Sequence, residues 1–110
     1  MGSNALHLAS QYGHLDVVKM LINSGVVVDI WNGTRMTPLA MASGEGEVEV
    51  GGLLIQRGAE INMQDIKGWA PLHFASEHGH LDMAGLLADL GADPTIQCDD
   101  LWSPLHLSNI

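Results

Sequence analysis

Apolar residues fall along the chain in short bursts with helical spacing. Leu15, Val18, Leu21 and Ile22 recur at intervals of three and four, as do Leu81, Ala84, Leu87 and Ala88, so each set lies on one face of a short helix. Glycine closes these helices, with Gly25, Gly58 and Gly91 standing where a left-handed residue would end them. A second kind of helix precedes each of the first. Thr37-Pro38 and Ser103-Pro104 place a capping hydroxyl before a proline at the first helical position, where its missing N–H goes unused, and Gly13, Gly46 and Gly79 mark the stops. Residues 26–30 and 59–63 are too short for helices. They lead into turn residues, Asn32-Gly33 and Asp65-Ile66-Lys67-Gly68, and are expected to form short hairpin fingers between helix pairs.

These elements repeat. Asn4-Ala5-Leu6-His7, Thr37-Pro38-Leu39-Ala40, Ala70-Pro71-Leu72-His73 and Ser103-Pro104-Leu105-His106 are evenly spaced starts, and Asp16, Glu49 and Asp82 hold an acid at the same interval. Residues 4–36 and 70–102 are identical at one position in three, which points to duplication. The chain is therefore expected to be a single domain over residues 1–110, with units at 4–36, 37–69 and 70–102 and a partial unit at 103–110. Helices this short do not hold alone, so each unit must bury its apolar face against the next. The expected fold class is an all-α solenoid.

The period, the Thr-Pro-Leu-His type of start, and the runs Gly13-His14-Leu15-Asp16-Val17-Val18-Lys19 and Gly79-His80-Leu81-Asp82-Met83 resemble those of ankyrin repeats. That resemblance implies helix-turn-helix units with short β-hairpin or loop fingers. It also implies that the histidine of each start ties loops together, and that partner proteins lie in a concave groove formed by finger turns and inner helices.

Departures from the pattern carry expectations of their own. Gly51-Gly52 replaces Val18-Lys19 in the middle of a helix, a loss of about 2 kcal/mol in helix propensity relative to alanine, so Val and Lys there should raise stability. The finger glycine Gly68 becomes Arg35 and Leu101 in the neighbouring units, whose turns are expected to leave the positive-φ geometry. Asp65 becomes Asn32 and then Cys98. The chain starts inside an inner helix and stops within a fourth unit, as an excerpt of a longer array would. Leu105, Leu107 and Ile110 then lack an outer helix to cover them and favour end-to-end self-association.

Composition narrows the function. No uninterrupted apolar run reaches the roughly 18 residues that a membrane span needs. An excess of acidic over basic side chains, 13 against 4, gives a net charge of −9 that repels nucleic acid and anionic membrane surfaces. Cys98 is the only cysteine, which rules out an internal disulfide and suits an intracellular, cytoplasmic chain, with the nucleus an open alternative. His73, Glu77, His78 and His80 have metal-binding chemistry, but His73 and His80 sit at framework phases and no ligand set has tetrahedral spacing. Pairing Cys98 with His106 forms no catalytic motif, and Asp99 and Asp100 have the wrong sign to activate a thiol. The glycines between Gly44 and Gly52 lack the lysine of a phosphate-binding loop. Neither enzyme activity nor a metal or other cofactor is expected.

Leu8, Met41, Phe74 and Leu107 share one inner-helix phase and are expected in the core. Met36, Trp69 and Trp102 form a column just before the inner helices, a phase that the ankyrin resemblance turns toward the groove. Two deeper columns, Gln11, Gly44 and Glu77 and then Tyr12, Glu45 and His78, face the same way, with Ile66 and Lys67 at a finger tip and Asp99 and Asp100 at one end. The expected function is a non-catalytic scaffold holding a protein with apolar and basic surface groups. A structural spacer within a larger ankyrin-repeat protein, or an ankyrin-type enzyme inhibitor, is the alternative.

Overall fold

A computed structural model describes residues 4–98 of the chain. Within them six helices follow one another: α1 (Ala5–Gln11), α2 (Leu15–Asn23), α3 (Pro38–Glu45), α4 (Val48–Gln56), α5 (Pro71–Glu77) and α6 (Leu81–Asp89). The described residues contain no strand. Inner helix α3 lies between α1 and α5, and outer helix α4 between α2 and α6, giving two stacked layers. Trp102, Asp99, Asp100, Leu101, Leu105, Leu107 and Ile110 lie outside the described residues.

The inner helices start where the capping chemistry places them. Asn4 accepts a hydrogen bond from the His7 amide at 3.1 Å, and the Thr37 hydroxyl accepts one from the Ala40 amide at 3.2 Å. Ala70 at the third start has no oxygen to offer. A left-handed glycine closes each of these helices. In α2 the Gly25 amide bonds the Ile22 carbonyl and the Val26 amide reaches back to Leu21, a closure that requires the φ of +94° at Gly25.

Between the layers lies one apolar core, built on Leu6, Leu39 and Leu72 of the inner helices and on Val18, Val50, Leu54, Met83 and Leu87 of the outer ones. Gly51 belongs to it, so packing there opposes the helix propensity that a valine would gain. A Cβ on Gly51 would overlap Met83 Cε, and its next neighbours are Met83 Sδ at 3.2 Å and Leu39 Cδ1 at 3.7 Å. Val17 and Val50 precede Met83 at its phase, so the longer methionine of one unit fills the space that the glycine of the previous unit leaves. Gly52 is different: a Cβ there would meet only Leu86 Cδ2, at an ordinary 3.8 Å.

The fingers are tight turns closed by a backbone bond, from the Asn32 amide to the Met36 carbonyl (3.1 Å) and from the Asp65 amide to the Trp69 carbonyl (2.9 Å). Asn32 and Asp65 serve the same purpose. The Asn32 oxygen accepts from the Thr34 and Met36 amides at 3.0 Å, and that of Asp65 from the Lys67 and Trp69 amides at 2.9 Å. Arg35 does adopt the positive φ of its glycine counterpart, +62° beside +80° at Gly68, contrary to the expectation from its side chain. Its guanidinium lies 4.8 Å from the Trp31 ring centroid, and the three bonds to Asn32, one of them from the Thr34 hydroxyl, hold the turn around it.

Candidate functional site: the concave groove

The inner helices bury one side and leave the other open. In α1 the buried residues are Leu6, His7, Ala9 and Ser10. Leu8 follows Leu6 by two residues, about 200° around the helix, and is 47% exposed. Met41 and Phe74 share its phase and line clefts between the inner helices and the fingers. The stripe expected in the core therefore paves the groove, and Leu107 of that stripe lies outside the described residues. Helical angle alone distinguishes the two faces: the run Leu6-His7-Leu8 cannot put both leucines on one side.

Two clefts adjoin along this surface. The first, about 200 Å³, is lined by Met36, Ala40, Met41, Gly44 and Phe74, with Gln11, Glu45 and His78 at its polar side. The second, about 380 Å³, is lined by Thr34, Met36, Trp69 and Phe74 with Asp65, Ile66, Lys67, Glu77 and His78. Met36, Phe74 and His78 border both, so the clefts form a continuous trough. Trp69 is half-buried, its ring centroid 5.1 Å from that of Phe74 at a tilt of 53° and 5.7 Å from that of His73. It thus packs against the groove floor while keeping one part of its surface open.

Of the residues singled out in the sequence, Met36, Glu45, Ile66, Lys67, Trp69, Glu77 and His78 come together in this trough. Tyr12 is 62% exposed beyond it, with its ring 6.3 Å from that of His14. Trp102, Asp99 and Asp100 fall outside the described residues. Met41, Phe74, Ala40, Thr34 and Asp65 are the lining residues that the sequence did not assign to the site.

Histidines frame the groove from behind. His7 is fully buried; its Nε2 donates to the Met36 carbonyl at 2.7 Å, and its Nδ1 accepts from the Asn4 amide at 3.3 Å. The bond to Met36 seats the first finger on α1. His80 Nε2 donates to the Gly44 carbonyl at 2.9 Å, linking the start of α6 to the end of α3. Among the described residues no three metal-ligating side chains converge.

Outside the groove, side-chain oxygens join the loops of successive units. Asp29 accepts from the Glu60 amide at 3.0 Å, and Asn62, at the same phase of the next unit, accepts from the Asp93 amide at 3.0 Å. Burial pushes the Asp29 carboxyl above its ordinary value; the Glu60 amide opposes that shift and the Glu60 charge adds to it. Asp93 is shifted the other way, its pKa lowered by hydrogen bonds from the Thr95 hydroxyl and amide.

Among the described residues no helix is long and apolar enough to cross a membrane. A family model described as ankyrin repeats in three copies matches residues 1–65, and a second, described as ankyrin repeats in many copies, matches residues 54–108. A search of curated proteins found no match. With helix pairs recurring at a constant interval, the paired layers and the buried histidine of the first start, the family models complete one account: the chain belongs to the ankyrin-repeat family.

Proposed function

We propose that the chain is a non-catalytic scaffold, one domain with units at 4–36, 37–69, 70–102 and 103–110, that holds a partner protein in its concave groove inside the cell. Ankyrin repeats are in general protein–protein interaction modules. The observation that carries the reading here is the trough itself, in which Met36, Trp69 and Phe74 offer apolar surface beside Glu45 and Glu77. Aromatic surface of this kind supplies binding energy, and the acidic border favours a partner with basic groups. Trp102, Asp99 and Asp100 extend the same surface in this proposal.

The test is capture from a cell lysate with the immobilised chain, run beside a Trp69→Ala, Trp102→Ala variant of matched folding. A scaffold retains specific proteins that the variant loses. Equal capture by both, or none by either, would favour a spacer that only positions its neighbours.

A further inference from the structure

We infer that the gap at Gly44 on α3 is a seat for one apolar side chain of the partner, carried on a segment where a lysine or arginine stands beside it. This rests on the reading that the groove binds protein, and it goes further in assigning the place and the chemistry of the anchor.

Gln11, Gly44 and Glu77 hold the same phase in successive units and form one column across the inner helices. The middle one has no side chain. A notch opens beside it, lined by Gln11, Met36, Ala40, Met41 and Phe74, with Glu77 of the same column on the adjoining cleft. Its volume of about 200 Å³ decides what it can hold. A space of that size, continuous with the second cleft, open to the groove and bordered by thioethers and an aromatic ring, suits the end of a single apolar side chain.

Charge selects the neighbour of that side chain. Glu45 at the notch and Glu77 at the adjoining cleft are both exposed. The chain has only four Lys and Arg residues. Arg35 sits over Trp31, Arg57 donates to Asn23, and Lys19 lies on outer helix α2, so Lys67 is the one cation lining either cleft. A cationic residue next to the seated side chain meets Glu45 at the notch, which no Lys or Arg lines, whereas Glu77 shares the adjoining cleft with Lys67.

Gly44 also permits a test that does not damage the fold. It lies inside α3, and a Cβ there would meet His78 Nδ1 at 3.6 Å and Phe74 Cβ at 3.7 Å, ordinary contacts. Gly44→Leu should therefore fill the notch and, through helix propensity, melt at or above the wild type. A phage-displayed library of random peptides is selected against the full chain, and the enriched peptides are synthesised and titrated against wild type, Gly44→Leu, Gly44→Gln and Trp69→Ala. The expected peptides carry Leu, Ile, Met or Phe beside Lys or Arg, and both fillings of the notch weaken them about tenfold or more without lowering the melting temperature.

If Trp69→Ala weakens binding while the Gly44 variants bind normally, the groove reading stands and the seat is wrong. If binding falls only in a Gly44 variant that also melts lower, or if the enriched peptides lack the apolar-basic pair, the seat is likewise overturned. Peptides unaffected by any of the substitutions, or a library that enriches nothing, would overturn both readings.

Discussion

Inner helices α1, α3 and α5 and outer helices α2, α4 and α6 share a core but reach it by different means. Two of the inner helices begin with a side-chain cap, and each buries residues on one side while lining or facing the groove with the other. The outer helices start without any side-chain cap bond, at His14, Glu47 and His80, and two of them carry glycine in their middle, Gly51-Gly52 and Gly85. Side-chain capping is thus confined to the layer that shapes the groove. The outer layer is held by packing, through Val18, Leu54 and Leu87, and by the reach of Met83 over Gly51. A short helix can be intrinsically weak if its neighbour completes it.

That contrast breaks first at the core. Leu39 is fully buried in α3 between the other inner helices, so Leu39→Ala should cost about 3 kcal/mol in a denaturant titration, whereas Val17→Ala on the exposed side of α2 should cost far less. Comparable losses would mean that burial in the shared core does not set the stability of the stack.

The glycine pair sharpens it. Gly51→Val should destabilise by about 1–3 kcal/mol as Met83 is forced out, while Gly52→Ala should stabilise by about 1 kcal/mol, since its Cβ meets open space and an ordinary contact. Opposite signs at adjacent positions are the signature to look for in the melting curves. If Gly51→Val stabilises, Met83 moves freely and the layers are not interlocked there.

Ala70→Thr should restore the missing cap and add about 1 kcal/mol, by the geometry that Thr37 already uses to hold the Ala40 amide. An unchanged midpoint would show that α5 gains nothing from a hydroxyl at its start. The smallest effect concerns the loop ties. Because the Asp29 pKa is raised in the folded chain, the folded state holds its proton more tightly than the unfolded state does, and this group's contribution to stability falls as pH rises from 3.8 through the raised value. Asp29→Asn should keep the bond to the Glu60 amide, as Asn62 keeps its own to Asp93, and be at least as stable as the wild type at neutral pH. Its advantage should vanish when the titration is repeated below pH 3.8. A variant less stable at neutral pH than at acid pH, relative to wild type, would reverse that sign.

Period and punctuation made the helix pairs legible before any coordinates: a capping residue, a proline and two glycines, recurring at one fixed interval, locate each helix to within a residue or two. The groove was legible in part. Met36, Trp69, Glu77 and His78 follow from their phase, yet Leu8, Met41 and Phe74 read as core because apolar character was weighed without helical angle. Gly51 needed more than its own helix for the opposite reason. Its low propensity is a local property, whereas its purpose lies in Met83 of the next unit, which no reading of one helix alone reveals. At Arg35 the side chain suggested one backbone geometry and the Asn32 bonds imposed another.

Recognition is proposed to lie on the inner helices and the fingers, and a calorimetric alanine scan against a captured partner is the direct test. Trp69→Ala should weaken binding by on the order of 2 kcal/mol or more, and Phe74→Ala should weaken it as well, while Lys19→Ala and Asp89→Ala on the outer helices should leave it nearly unchanged. Circular dichroism on each variant separates lost contact from lost fold. Losses confined to Lys19 and Asp89, with Trp69→Ala and Phe74→Ala binding as the wild type does, would contradict the account and move the recognition surface to the convex side.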